Sequence, residues 1–147
     1  MANSDLAGKF SVQHLDFMEP PLPASGGRIH TPAGELAQIV SDGNIRHLVY
    51  LELKADGKPR GNHHHTKVQS HGFYVIKGKL LVKMVDLGDG SRAEVTISTG
   101  DVMRIKPGCA HVFIALEDTQ AIEFNNAPYD PADTIPYVVD SGKQQEG

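Results

Sequence analysis

The chain has 147 residues, a mass of 15.9 kDa, a formal net charge of −4 and a pI near 6.0, a size that suits one domain with a single core. Charges of both signs are scattered, so the basic patch that nucleic acid demands is missing. A lone cysteine, Cys109, rules out an internal disulfide framework and agrees with a reducing compartment. No run approaches the roughly eighteen apolar residues of a membrane span, and Met1-Ala2-Asn3-Ser4-Asp5 lacks a basic region followed by an apolar one. The expectation is a cytoplasmic protein with a small-molecule partner and no nucleic-acid or membrane partner.

Residues 1–28 show little periodicity, and the stretch from Glu19 to Gly27 is too rich in proline and glycine for an interior strand or helix. This predicts an N-terminal arm, its apolar residues Phe10, Val12, Leu15, Phe17 and Met18 lying along the domain edge or against a partner subunit. His14 and His30 have no neighbours of chemical interest and read as surface residues. Leu36 to Val40 reads as a short strand closed by the turn cluster Ser41-Asp42-Gly43-Asn44. Ile45 to Leu53 follows as a strand, with Leu48, Tyr50 and Glu52 on one face, His47, Val49, Leu51 and Leu53 on the other, and both faces mostly covered.

Beyond the turn from Lys54 to Pro59, four of the eight histidines fall within residues 61–78. Strand side chains alternate, so His63 and His65 share one face while His64 takes the other. His71 opens the strand pattern Phe73 to Ile76. Gly78 serves a tight reversal into Leu80 to Val85. Asp86 to Gly90 is a plain hairpin turn, without the following helix or the ligand spacing of a phosphate or calcium loop. Glu94 to Ile97 and Val102 to Ile105 are strands, and Lys106-Pro107-Gly108 reverses the chain into His111 and Val112 to Leu116. Cys109 reads as a small apolar filler beside that histidine. Ala121 to Phe124 is the last clear strand, and residues 141–147 form a polar, flexible tail.

Short strands at about ten-residue spacing make residues 29–140 an all-β sandwich or barrel, of which the jelly roll is the natural form. Such a barrel shelters a polar cluster at one mouth. Imidazoles from His63, His65, His71 and His111 would suit a divalent transition metal such as Zn, Fe, Ni or Mn, and Gln69 is a candidate substitute ligand. Without a metal, His63 and His65 can act as an acid-base pair near neutral pH.

The stretch from Gly61 to Gly78 resembles the first motif of the cupin superfamily, with His63 and His65 at its paired histidines and Gly78 at its closing glycine. Residues 100–111 are similar to the second, through Gly100, Gly108 and His111. His71 stands where the family usually has glutamate, one residue further on, and Lys106 stands at a family proline. The resemblance implies a double-stranded β-helix, the jelly-roll cupin barrel, a four-histidine metal site and a homodimer. Arg60-Gly61-Asn62-His63-His64-His65, with Tyr129-Asp130-Pro131 and Asp133-Thr134, looks like cupins acting on sugar nucleotides, which are keto-sugar isomerases and epimerases. That likeness implies catalysis by His63 and His65, with Tyr129 as proton donor over the barrel mouth. The family's Asp-x-Arg-Gly has only Thr31-Pro32-Ala33-Gly34 as its counterpart, so no phosphate clamp is expected there. Other chemistry in the superfamily, such as a metal-dependent dioxygenase, and a non-catalytic ligand-binding module are the alternatives.

Overall fold

A computed structural model describes residues 3–41, 44–67 and 71–140. The sequence-derived assignments to Gln69, to the centre of the turn at 42–43 and to the tail at 141–147 lie outside the described residues. In chain order the strands are β1 (Asn3–Asp5), β2 (Phe10–His14), β3 (Gly27–Thr31), β4 (Gly34–Gln38), β5 (His47–Leu53), β6 (Arg60–His64), β7 (His71–Lys77), β8 (Lys79–Asp86), β9 (Arg92–Ser98), β10 (Asp101–Ile105), β11 (Cys109–Ala115), β12 (Thr119–Asn125) and β13 (Ile135–Pro136). A 3₁₀ turn, Pro131–Asp133, precedes β13. No helix of the described residues is long and apolar enough to cross a membrane.

The strands form a six-stranded sheet in the order β1-β2-β10-β7-β12-β5, a five-stranded sheet in the order β13-β6-β11-β8-β9, and the β3-β4 hairpin. Every pairing within them is antiparallel. The two larger sheets pack face to face. Phe73 and Val75 of β7 and Met103 and Ile105 of β10 meet Val82 and Met84 of β8, Ile97 of β9 and Phe113 of β11 in one core cluster. Full burial of such a side chain contributes about 1.5–3 kcal/mol. This is the all-β jelly roll that the strand spacing predicts.

Alternation along β7 turns Tyr74 to the outer face of the six-stranded sheet, where it joins Leu15, Val102 and Phe124 in a second cluster. Ala37, Ile39 and Val40, from β4 and the chain after it, pack on that cluster. The cover does not extend over β5, an edge strand whose Leu48 and Tyr50 are 67% and 53% exposed. The expectation that both faces of this strand are covered therefore fails on the outer one.

The N-terminal segment is more than an arm. β2 pairs along its whole length with β10, and Phe10, Val12 and Leu15 are buried. The short, Ser- and Gln-broken pattern hides a strand whose partner β10 comes from far along the chain. His14 likewise has partners. Its Nδ1 lies 2.8 Å from Asp101 Oδ1, and its Nε2 accepts from the buried Arg28 guanidinium at 3.3 Å, which leaves the Nδ1 proton for the aspartate. His30 stacks on Phe17 with ring centroids 3.8 Å apart.

Gly78 does turn the chain, with φ +120°, but not as a hairpin. β7 and β8 belong to different sheets, so Gly78 is the corner between layers. A Cβ there would meet the Asp118 carbonyl oxygen at 2.7 Å, so the corner needs glycine for space as well as for φ.

Candidate active site

The histidines meet at one end of the space between the sheets. β6 pairs with β11 so that His63 lies opposite His111, and the register slips between His111 and Val112. The slip is fitted by Gly61 and Asn62, which take φ of +116° and +55°. A Cβ on Gly61 would stand 2.8 Å from the His111 carbonyl oxygen. The kink brings the His63 and His65 rings to 4.9 Å of each other, and His63 to 4.9 Å of His111. His64 turns to the other face, as alternation requires, with its Nδ1 buried and unpartnered.

One ligand atom each from His63, His65 and His111 can be chosen so that all three lie within 4.8 Å of one another. Two of these rings are fixed by backbone carbonyls. His65 Nδ1 faces the Asp133 carbonyl oxygen at 2.9 Å, and His111 Nδ1 faces that of Cys109 at 3.2 Å. A carbonyl only accepts, so both rings carry their proton on Nδ1 and leave a lone pair on Nε2. Both Nε2 atoms are buried without a partner. Burial, helped by the neighbouring imidazoles, pushes all three toward the neutral form: His63 comes down to about 4, His65 is lowered, and His111 lies well below the ordinary histidine value.

His71 is in the cluster but stands apart from that donor set. Its ring is 4.8 Å from His65 and 5.5 Å from His111, while its Nε2 is 2.5 Å from Glu123 Oε1. Strand geometry explains the pairing, since β7 and β12 are neighbours and both side chains point inward. Burial alone would raise the Glu123 carboxyl, but the hydrogen bond and charge of His71 outweigh it and hold the group below its usual range. Of the four histidines expected as ligands, three have nitrogens that converge, and His71 stands beside them, paired with Glu123 through Nε2 and with its Nδ1 buried without a partner. Cys109 is a core residue at 1% exposure, its thiol pushed up to about 11 by burial.

The cluster opens into a cavity of about 600 Å³ whose lining includes His63, His65, Glu123, His47, Arg60, Lys67 and Tyr129. Tyr129 is on its rim, 67% exposed, with its ring 5.5 Å from that of His47. One wall is tied down by the C-terminal segment. Asp130 caps the 3₁₀ turn, Pro131 begins it, and Asp133 accepts from the Thr66 N–H, the Thr66 hydroxyl and the Lys67 N–H. Burial would raise Asp133, yet these donors bring its carboxyl down to about 2. Sequence reasoning missed Glu123, Asn125 and the pocket role of His47. The available signal for the first two was polar residues at the inward positions of β12, after Ala121.

A model of the cupin domain matches residues 49–124, more than half of the chain. The chain belongs to the cupin family. No curated protein matches its sequence, but solved cupins resemble it in fold. A dTDP-4-dehydrorhamnose 3,5-epimerase from Sulfolobus tokodaii is 19% identical, with 90% of this chain and 78% of that one covered at a TM-score of 0.68. The sugar 3,4-ketoisomerase QdtA from Thermoanaerobacterium thermosaccharolyticum, in complex with TDP, is 14% identical, with 90% and 91% covered at 0.70. An epimerase from Mycobacterium tuberculosis is 17% identical, with 90% and 70% covered at 0.70. At these identities the likeness shows the shared jelly roll.

Proposed function

We propose that this cupin is an enzyme that isomerises or epimerises a keto-sugar carried on a nucleotide. The observation that carries the reading is the convergence of uncharged imidazoles, two with buried and unpartnered lone pairs, on the floor of an open cavity. Fold neighbours that are keto-sugar epimerases and ketoisomerases support the substrate class.

The donor set fits a divalent transition metal, because metal binding needs neutral imidazoles whose other nitrogen is hydrogen-bonded outward. His63, His65 and His111 would hold it. An ion held there would supply positive charge to a carbonyl oxygen and so would acidify the neighbouring C–H. The chain's own proton chemistry then falls to the carboxylate. Glu123, kept ionised by His71, takes the proton from the carbon beside the carbonyl, and we assign its return to Tyr129 on the rim. A metal-free variant is favoured by one feature. His63 has no hydrogen-bond partner among the described residues and is neutral well below pH 7, so its lone pair can take the proton from one carbon and the resulting imidazolium can return it to the next.

The test uses TDP-4-keto-6-deoxyglucose, the ligand of a ketoisomerase of the same fold, in deuterated water. Deuterium is expected beside the carbonyl, with no oxygen consumed. Metal-loaded and metal-free protein that both leave the substrate unlabelled would overturn the reading, and oxygen uptake would replace it with dioxygenase chemistry. Assembly as a homodimer belongs to the same proposal, with the exposed Leu48 and Tyr50 of edge strand β5 as its surface, and light scattering checks it.

A further inference from the structure

His47 lies outside the imidazole cluster, on the wall of the cavity toward its mouth, and its ring orientation is decided by a chain of two hydrogen bonds. The Ala127 N–H donates to Asn125 Oδ1 at 3.3 Å, and only the oxygen of that amide can accept. The Asn125 amide nitrogen therefore faces His47 Nδ1, 3.3 Å away, and donates to it. Asn125 is buried at 5% exposure on β12, opposite His47 on β5, so it has little freedom to reverse. With Nδ1 occupied as an acceptor, the neutral ring carries its proton on Nε2, the opposite tautomer to His65 and His111. That Nε2 has no hydrogen-bond partner among the described residues.

Away from the His63 and His65 lone pairs, the remaining polar capacity of the cavity is mostly that of donors. Its carboxylates are engaged: Glu123 by His71, Asp130 by Lys67 at 3.1 Å and by the Ala132 N–H, and Asp133 by Thr66 and Lys67. Facing a ligand beside them are donors, the Arg60 guanidinium, the His47 Nε2–H and the Lys67 N–H bonds not given to Asp130. We infer that His47 is a positioning residue, set by Asn125 to donate its Nε2–H to a phosphate oxygen of the substrate at the cavity mouth. The inference rests on the nucleotide-sugar reading above and adds the group that sets where the nucleotide's phosphates lie.

Two measurements on the full chain test it. Nitrogen-15 NMR of the ligand-free protein is expected to show His47 as the Nε2–H tautomer, and Asn125→Leu is expected to release that preference; a wild-type Nδ1–H tautomer overturns the assignment. Calorimetric titration with TDP is expected to weaken about tenfold or more in His47→Phe, the loss of one hydrogen bond to a charged group. His47→Gln, whose amide can still donate, is expected to stay within about threefold, and thymidine without phosphates to bind all three proteins alike. TDP binding unchanged in His47→Phe, or a wild type that binds TDP no better than thymidine, overturns the proposal. A wild type that binds TDP through His47 yet exchanges no deuterium sinks the proposed reaction and leaves this role intact.

Discussion

The His71 Nε2 and a carboxylate oxygen of Glu123 lie 2.5 Å apart, between neighbouring strands β7 and β12. His71 is 3% exposed, so water cannot replace a lost partner. Glu123→Leu is expected to cost about 1–3 kcal/mol, the penalty for a buried polar group left unsatisfied. Glu123→Gln keeps an accepting oxygen and should cost less, while abolishing deuterium exchange. Urea denaturation of the two variants checks the order, and equal stability of Glu123→Leu and wild type would show that the bond carries no weight.

Elemental analysis addresses the donor set. Wild-type protein is expected to hold one transition metal ion per chain, and His111→Ala to lose it, because the ring it removes is fully enclosed and locked in the ligand tautomer. His71→Gln should keep the ion, since His71 is outside the three converging nitrogens and its Nε2 is given to Glu123. Loss of metal in His71→Gln with retention in His111→Ala would reverse the assignment.

The metal-stripped protein should lose stability as acid is added. The folded-state value of His63 is about 4, against an ordinary 6.5, so between those values the unfolded chain binds the extra proton. Its contribution is whole above about pH 6.5 and drains away toward pH 4. Glu123, whose folded value is also depressed, loses its contribution as pH falls below the usual glutamate range. Melting temperatures from pH 8 to 4 should therefore descend, and His63→Gln should flatten the upper part of the descent.

Asp133 fastens the strand end that carries His65. Asp133→Ala strips the acceptor from two backbone N–H groups and a hydroxyl, with an expected loss of about 2 kcal/mol, and it frees residues 65–67 to move. Thermal unfolding measures the first effect and weakened metal retention the second. An Asp133→Ala protein that unfolds and holds metal like wild type would refute the fastening.

Gly61→Ala is expected to damage both fold and site. Its φ of +116° and the His111 carbonyl 2.8 Å from the added methyl position give the new side chain nowhere to go. Destabilisation of about 2 kcal/mol is expected from strain and overpacking, with metal binding impaired because β6 must lift from β11. Gly90→Ala, also at positive φ but in open space, separates the cost of φ from that of contact.

The strand runs of β7, β8, β10, β11 and β12 were legible because they alternate or run apolar between glycine and proline turns. His63, His65 and His111 were legible because a strand period of two and two separate turns could bring them together. What escaped was set by partners distant in sequence. Nothing local in Phe10 to His14 reveals that β10 will take it as a neighbour. Glu123 looks like an outward-facing charge until β7 supplies His71, and His47 looks like a core face residue until Asn125 sets its ring. The same holds for the corner at Gly78, since the glycine requirement is visible from sequence and the choice between hairpin and corner is not.

The pairings of β6 reach far along the chain: His63 lies opposite His111, and His64 opposite Ile135. Closing loops of that length is entropically costly. The three-nitrogen cradle therefore exists only when residues 63–65, 111 and 133, distant in sequence, are in place together. An ion that recognises only this assembled cradle would stabilise the folded chain over the unfolded one.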